Sequence, residues 1–261
     1  MAFGLIIIGD EILSGRRQDK HLPKVIELLA ARGHSLAWAQ YIGDERPRIT
    51  AALREAFASA DIVFSCGGIG ATPDDHTRQC AAAASGRPLA LHPQARLLIE
   101  ERMRDVAAEQ GTSYEPDRPD NVHRLNMGVF PEGAELIPNP YNKIPGFSLV
   151  DVHFVPGFPV MAHPMIEWLL DTRYADLRPQ PHAERALFVK GSMEATLTPL
   201  MEAIEAEYPG VRVFSLPSVD HPQRGRHIEL GVKGVPDQVE LAFDALQAGL
   251  KALPGVQFST E

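Results

Sequence analysis

The sequence has 261 residues, long enough to bury one large core or two modest ones. Hydrophobic residues make up 44% and charged residues 23%, a globular composition that excludes a mainly disordered or collagen-like chain. The formal charge of −9 gives no positive field for non-specific nucleic-acid binding, so an anionic substrate needs local help from a metal ion or from backbone amides.

In chain order, FGLIII (3–8) reads as a buried strand that stops at Gly9. After a polar loop, Leu22, Val25, Ile26, Leu28 and Leu29 recur at helical spacing as far as Gly33. Ser35 to Ile42 reads as a strand, and Ile49, Leu53 and Phe57 mark a helix. Asp61 to Ser65 is a buried strand running into Gly67 and Gly68, followed by helices over Thr77 to Ala84 and Leu97 to Gln110. This alternation implies right-handed βαβ units, hence an α/β, three-layer domain with a mainly parallel sheet. Prolines crowd residues 111–148, which read as loops with one short strand at Glu135 to Ile137. Val152 to Val155 is a strand, followed by the turn Pro156-Gly157-Phe158-Pro159 and a helix over Val160 to Leu170. Pro179 and Pro181 break the pattern and place a domain boundary near 175, dividing 1–174 from 175–261. The second part carries strands at 186–190, 211–216 and 227–232 and helices at 194–207 and 239–253, a small α+β domain.

No apolar run is long enough to cross a bilayer, and no basic segment precedes the first apolar residues, so neither a membrane partner nor a cleaved leader is expected. Cys66 and Cys80 form no CxxC and read as structural thiols of a cytoplasmic protein.

Parallel sheets take ligands beyond the carboxyl ends of their strands. The first such loop holds Gly9, Asp10, Glu11 and Ser14; it is not a P-loop, because Arg16 stands where the lysine belongs. The second holds Asp44. The third is Gly67-Gly68-Ile69-Gly70-Ala71-Thr72-Pro73-Asp74-Asp75, whose glycines can turn backbone N–H groups toward one phosphate. Thr72, Pro73 and Asp75 also fit the N-cap, first position and capping-box acid of the following helix. Asp74 and Asp75 beside such a cradle would repel an anion unless a divalent cation lay between them. The fourth region joins Asn139, Lys143, Pro145 and Gly146 to Gly157, a stiff surround for a flat ring and its phosphates. The sequence carries no HExxH and no GxSxG.

In this order, GDEILSG, GDE, GGIGATPDDHTR, PNP…PGF and PGFP resemble the molybdopterin-binding domain of the MoaB/Mog family, also found in gephyrin, CinA and eukaryotic FAD synthase. The resemblance covers about residues 3–170 and is greatest to the N-terminal region of CinA, with GGIGATPDDHTR its specific part. The remainder resembles the small KH-like domain that follows in CinA, but the chain is acidic, so RNA is not an expected partner. The resemblance implies that Gly67, Gly68 and Gly70 form the cradle, that Asp44 and Asp75 are the family's loop acids, and that Asp10 and Glu11 belong to a CinA-type GDE. Lys20-His21 stand where relatives carry Thr-Asn, and Asn142-Lys143-Ile144 replace a small-residue segment; both fall in the expected substrate pocket. The reaction it implies is hydrolysis of a nucleotide pyrophosphate bond, as in ADP-ribose or FAD, with a divalent cation (Mg²⁺, Mn²⁺ or Co²⁺) and potassium. We expect Asp44 and Asp75, joined by Asp10, Glu11 or Asp74, to hold the cation against the diphosphate. The alternatives are binding and adenylylation of molybdopterin, and a non-catalytic pterin or nucleotide module. A homo-oligomer is expected. The amidohydrolase domain of full-length CinA has no counterpart within this length, so deamidation is not carried over.

Overall fold

The computed structural model describes residues 2–179 and 182–260; of the expected breakers, Pro181 lies outside them. The chain divides into two compact units, Met1–Arg178 and Pro179–Glu261, a few residues beyond the boundary expected from the prolines.

The first unit runs β1 (Phe3–Ile8), α1 (Asp10–Leu13), α2 (His21–Ala30), β2 (Leu36–Ile42), α3 (Arg46–Ala58), β3 (Ile62–Cys66) and α4 (Thr77–Ser85). It continues with β4 (Leu89–Leu91), α5 (Pro93–Glu109), α6 (Pro119–Arg124), a 3₁₀ turn (Leu125–Gly128), β5 (Val129–Pro131), β6 (Glu135–Ile137), β7 (Gly146–Leu149), β8 (Val152–Val155) and α7 (Pro159–Thr172). The six-stranded sheet has the order β2-β1-β3-β8-β7-β6. Its first four strands are parallel, and β7 pairs antiparallel with both β8 and β6. Every residue of β1 and of β3 is buried, as continuous apolar runs require when helices cover both faces. Residues of α2 and α7 pack on one face around Leu5, Ile7, Phe64 and Met165. Residues of α3, α4 and α5 pack on the other around Ile6, Ile8, Leu53 and Phe154. The expected three layers are therefore present.

Three local expectations are corrected. The polar loop after β1 contains the short helix α1. The proline-rich stretch holds the expected short strand as β6 and, in addition, α6, the strand β5 that pairs with β4, and the start of the buried strand β7. Tertiary packing makes β7: the Phe147 ring stacks between Phe130 at 4.6 Å and Phe154 at 4.3 Å. The long helix begins at Pro93, with His92 as its cap.

A polar chain crosses the end of the sheet where β8 begins. The Ser148 hydroxyl meets His153 Nδ1 at 2.8 Å, His153 Nε2 meets the Tyr174 hydroxyl at 2.6 Å, and Tyr174 donates to Asp151 at 2.8 Å. Burial holds His153 neutral, with its pKa down at about 3. Replacing His153 by Leu strands the Ser148 hydroxyl and takes one of two partners from Tyr174, and urea denaturation should show a loss of about 3 kcal/mol. The sign of the pH effect follows from the lowered value. The unfolded chain takes up this proton below about pH 6.5, and the folded chain does not, so stability is full above that pH and falls on acidification.

The second unit runs β9 (Ala183–Lys190), α8 (Glu194–Glu207), β10 (Arg212–His221), β11 (Gly225–Gly234), α9 (Pro236–Ala252) and β12 (Gln257–Ser259). Its antiparallel sheet has the order β10-β11-β9-β12. Leu187, Val189, Ile228 and Leu230 pack against Leu197, Phe243 and Leu246 of its helices. This is the expected α+β unit, with β12 as an added edge strand and β10–β11 as a longer hairpin. Among the described residues, no helix is long and apolar enough to cross a membrane.

Candidate active site

Because β1, β2, β3 and β8 are parallel, their carboxyl ends share one edge of the sheet. The residues that follow them surround a cavity of about 630 Å³, a size typical of small-molecule sites. Gly9, Glu11, Asp44, Gly67, Gly68, Gly70, Thr72, Asp74, Asp75 and Gly157 all line it.

The glycine loop is fixed by backbone geometry. Gly67 has φ +109°, and a Cβ there would lie 2.2 Å from the Ile8 carbonyl oxygen. Gly68 has φ +68°, and its Cβ would lie 2.1 Å from Thr77 Oγ1. That hydroxyl donates to the Gly67 carbonyl at 3.0 Å, and the Thr77 N–H donates to the Gly68 carbonyl at 2.9 Å. These bonds start α4 at Thr77 with His76 as its cap residue, so Thr72, Pro73 and Asp75 do not form the expected cap. They form a turn ahead of the helix. Asp75 N–H donates to the Thr72 carbonyl at 3.0 Å, and Asp75 Oδ2 accepts from Thr72 N–H at 2.8 Å and from its hydroxyl at 2.5 Å. A three-residue spacing supports the same reciprocal pair in a turn as in a capping box, which is why sequence alone does not separate them.

Asp10 and Asp44 tie the first two loops together. Asp10 N–H donates to Asp44 Oδ2 at 2.9 Å, and Asp44 N–H donates to Asp10 Oδ1 at 3.1 Å. Asp10 lies outside the lining of the large cavity and faces a smaller one with Tyr41 and Arg48. Burial raises the Asp44 carboxyl above its ordinary range; the Asp10 amide opposes this, and the charges of Asp10, Glu11 and Asp74 reinforce it. Among the described residues, no three His, Cys, Asp or Glu side chains form a ready-made metal cage.

The remaining expected residues lie elsewhere. Ser14 closes α1, with its N–H on the Asp10 carbonyl at 2.8 Å, and does not line the cavity. Asn139, Lys143, Pro145 and Gly146 do not line it either. Asn139 is buried and donates to Asn142 Oδ1 and the Ile144 carbonyl, so it organises its own loop. Lys143 is held by Glu101 at 2.7 Å and Asp105 at 2.6 Å on α5. Gly146 belongs to β7, and a Cβ there would lie 2.4 Å from the Phe154 carbonyl oxygen. Cys66 and Cys80 are buried free thiols, both pushed up by burial.

Sequence reasoning missed three contributors. Arg16 and Arg17 line the cavity, and the Arg17 guanidinium lies 6.0 Å from the centroid of the Phe158 ring, which is 54% exposed. Arg78 is 3% exposed behind the glycine loop and donates from Nη1 to the Ile69 carbonyl. Burial lowers its pKa, and the Asp75 charge opposes that. Its signal was its place inside the block GGIGATPDDHTR, but an arginine in the first turn of a helix reads as a solvated side chain.

Residues 4–176 match the family model described as a probable molybdopterin binding domain, and the chain belongs to that family, the MoaB/Mog type. Its relatives place it with the CinA-like members. A CinA-like protein of Anaeromyxobacter dehalogenans is 30% identical over 90% of this chain, which spans 60% of that protein's length. A protein of Pyrobaculum calidifontis is 30% identical over 98% of this chain and 96% of its own. The crystal structure of the protein CinA from Thermoplasma acidophilum shares the fold, with a TM-score of 0.55 at 24% identity, covering 66% of this chain and 98% of that one.

Proposed function

We propose that the cavity binds a nucleotide diphosphate ester of the ADP-ribose type and hydrolyses its pyrophosphate bond with a divalent cation. The observation that carries this reading is geometric: Glu11, Asp44 and Asp74 line the same cavity as the glycines Gly67, Gly68 and Gly70, and burial raises the Asp44 carboxyl there. Carboxylates facing an anion site are consistent with a cation between the two, and an all-oxygen donor set suits Mg²⁺ or Mn²⁺. Without a ready-made cage, Asp44, with Glu11 and Asp74, would hold such an ion only jointly with substrate phosphate oxygens. When bound, it would offset the diphosphate charge and acidify a water molecule.

The chain's own residues supply the rest. The amides of the glycine loop receive one phosphate, stiffened from behind by Arg78. Arg16 and Arg17 offset the remaining negative charge, and the Phe158 ring offers a surface to a flat base. Asp44 keeps one oxygen on the Asp10 amide and offers the other to the proton of an attacking water. Asp75 commits Oδ2 to Thr72 and so fixes the turn that closes the cradle.

The test is a panel of nucleoside diphosphate derivatives with Mg²⁺, Mn²⁺ or Co²⁺, alongside molybdopterin with ATP. We expect AMP and ribose 5-phosphate from ADP-ribose only when metal is present. A second reading, adenylylation of molybdopterin, is favoured by the family match at residues 4–176 and would give adenylylated pterin and pyrophosphate instead.

A further inference from the structure

We infer that His21 is a positioning residue of this cavity: its Nε2–H holds the Gly157 carbonyl, and the ring, buried edge-on against His163, keeps the Pro156–Phe158 wall against the glycine loop. This rests on the reading that the cavity binds a nucleotide. The chemistry above makes no use of His21.

His21 opens α2 and is 4% exposed. Asp19 fixes its backbone, accepting from the His21 N–H at 2.8 Å and the Leu22 N–H at 3.0 Å, and it also accepts from the Tyr41 hydroxyl at 2.8 Å. His21 Nε2 lies 3.1 Å from the Gly157 carbonyl oxygen. A carbonyl only accepts, so Nε2 carries the proton, and in the neutral ring Nδ1 carries none. Nδ1 is buried and has no partner among the described residues. The ring meets His163 of α7 edge-on, with centroids 5.3 Å apart, and His163 Nε2 is likewise buried without a partner. Gly157 in turn borders the cradle, since a Cβ on it would lie 3.5 Å from Gly67 Cα. The contacts therefore run from α2 through His21 and Gly157 to the phosphate-facing glycines.

A second proton on His21 would enter at Nδ1, where no acceptor waits, and would set a cation against His163. On His21 the Gly157 bond and the Asp19 charge oppose burial, while on His163 the charges of His21 and Lys24 add to burial and those of Asp19 and Glu27 oppose it. Burial favours the neutral form of both rings. Acid should therefore loosen the Gly157 wall before it unfolds the domain.

The experiment follows the Gly157 amide resonance of the ligand-free full chain against pH, together with its affinity for ADP-ribose in a chelator, where the nucleotide stays intact. His21→Gln keeps an N–H donor and cannot titrate; His21→Ala removes the donor. In the unsubstituted protein, amide shift and affinity should change together below about pH 6.5. The Gln variant should flatten the amide titration and retain affinity near neutral pH within about twofold, whereas the Ala variant should bind about tenfold more weakly. An acid-dependent Gly157 shift that persists in the Gln variant overturns the inference, as does undiminished binding by the Ala variant. Failure of the unsubstituted protein to bind ADP-ribose would count against the nucleotide reading, and the ligand-free amide titration would still decide the role of His21.

Discussion

Gly67→Ala should lose about 3–5 kcal/mol of stability, a large fraction of what a domain this size has to lose. Two penalties combine. The backbone angle of +109° lies where only glycine is at ease, and the new methyl group would sit 2.2 Å from the Ile8 carbonyl oxygen, inside the hydrogen-bonded sheet. Gly15 provides the internal comparison. It also has a positive φ, +73°, but a Cβ there meets nothing within 4 Å, so Gly15→Ala should lose only about 1 kcal/mol. Urea denaturation of the two variants side by side measures the difference. Equal losses would mean that the contact between the glycine loop and β1 does not constrain the cradle.

Asp44→Asn should separate stability from activity. Asparagine retains an oxygen that accepts the Asp10 N–H, so the tie between the first two loops survives. What disappears is the charge. A carboxyl raised above its ordinary range stabilises the fold only while it is protonated, and that contribution is lost as pH rises through its folded value. At neutral pH, ionised Asp44 is therefore a strain that the substitution relieves, and the melting temperature should hold or rise. Turnover of ADP-ribose should fall by about 10²–10⁴, the range for losing a metal-holding or proton-accepting group. Initial rates at saturating Mg²⁺ and a thermal melt give both numbers. Full activity in this variant would remove Asp44 from the chemistry.

The sheet was legible where burial on both faces left continuous apolar runs, as in FGLIII of β1 and IVFSC of β3. It was illegible in β7, where Pro145 and Gly146 read as loop punctuation and ring stacking with Phe130 and Phe154 decides the matter. The loop acids and glycines could be read because strand ends in a parallel sheet converge by topology. Residues drawn together only by tertiary approach could not. Arg17 meets Phe158, and Lys143 leaves the expected pocket for Glu101 and Asp105, across sequence separations that no local pattern records. Arg78 illustrates the same limit, since its burial depends on a carbonyl offered by the loop in front of it.

The central claim, a metal-assisted hydrolytic site built on Asp44 and the glycine loop, is tested most directly by phosphorus NMR of ADP-ribose incubated with the protein. With Mg²⁺, Mn²⁺ or Co²⁺, the diphosphate signals should give way to two phosphomonoester signals, from AMP and ribose 5-phosphate. With a chelator, or with Asp44→Asn, the diphosphate should persist. Cleavage at the same rate in the chelator, or intact diphosphate with every metal while ATP adenylylates molybdopterin, would contradict the account.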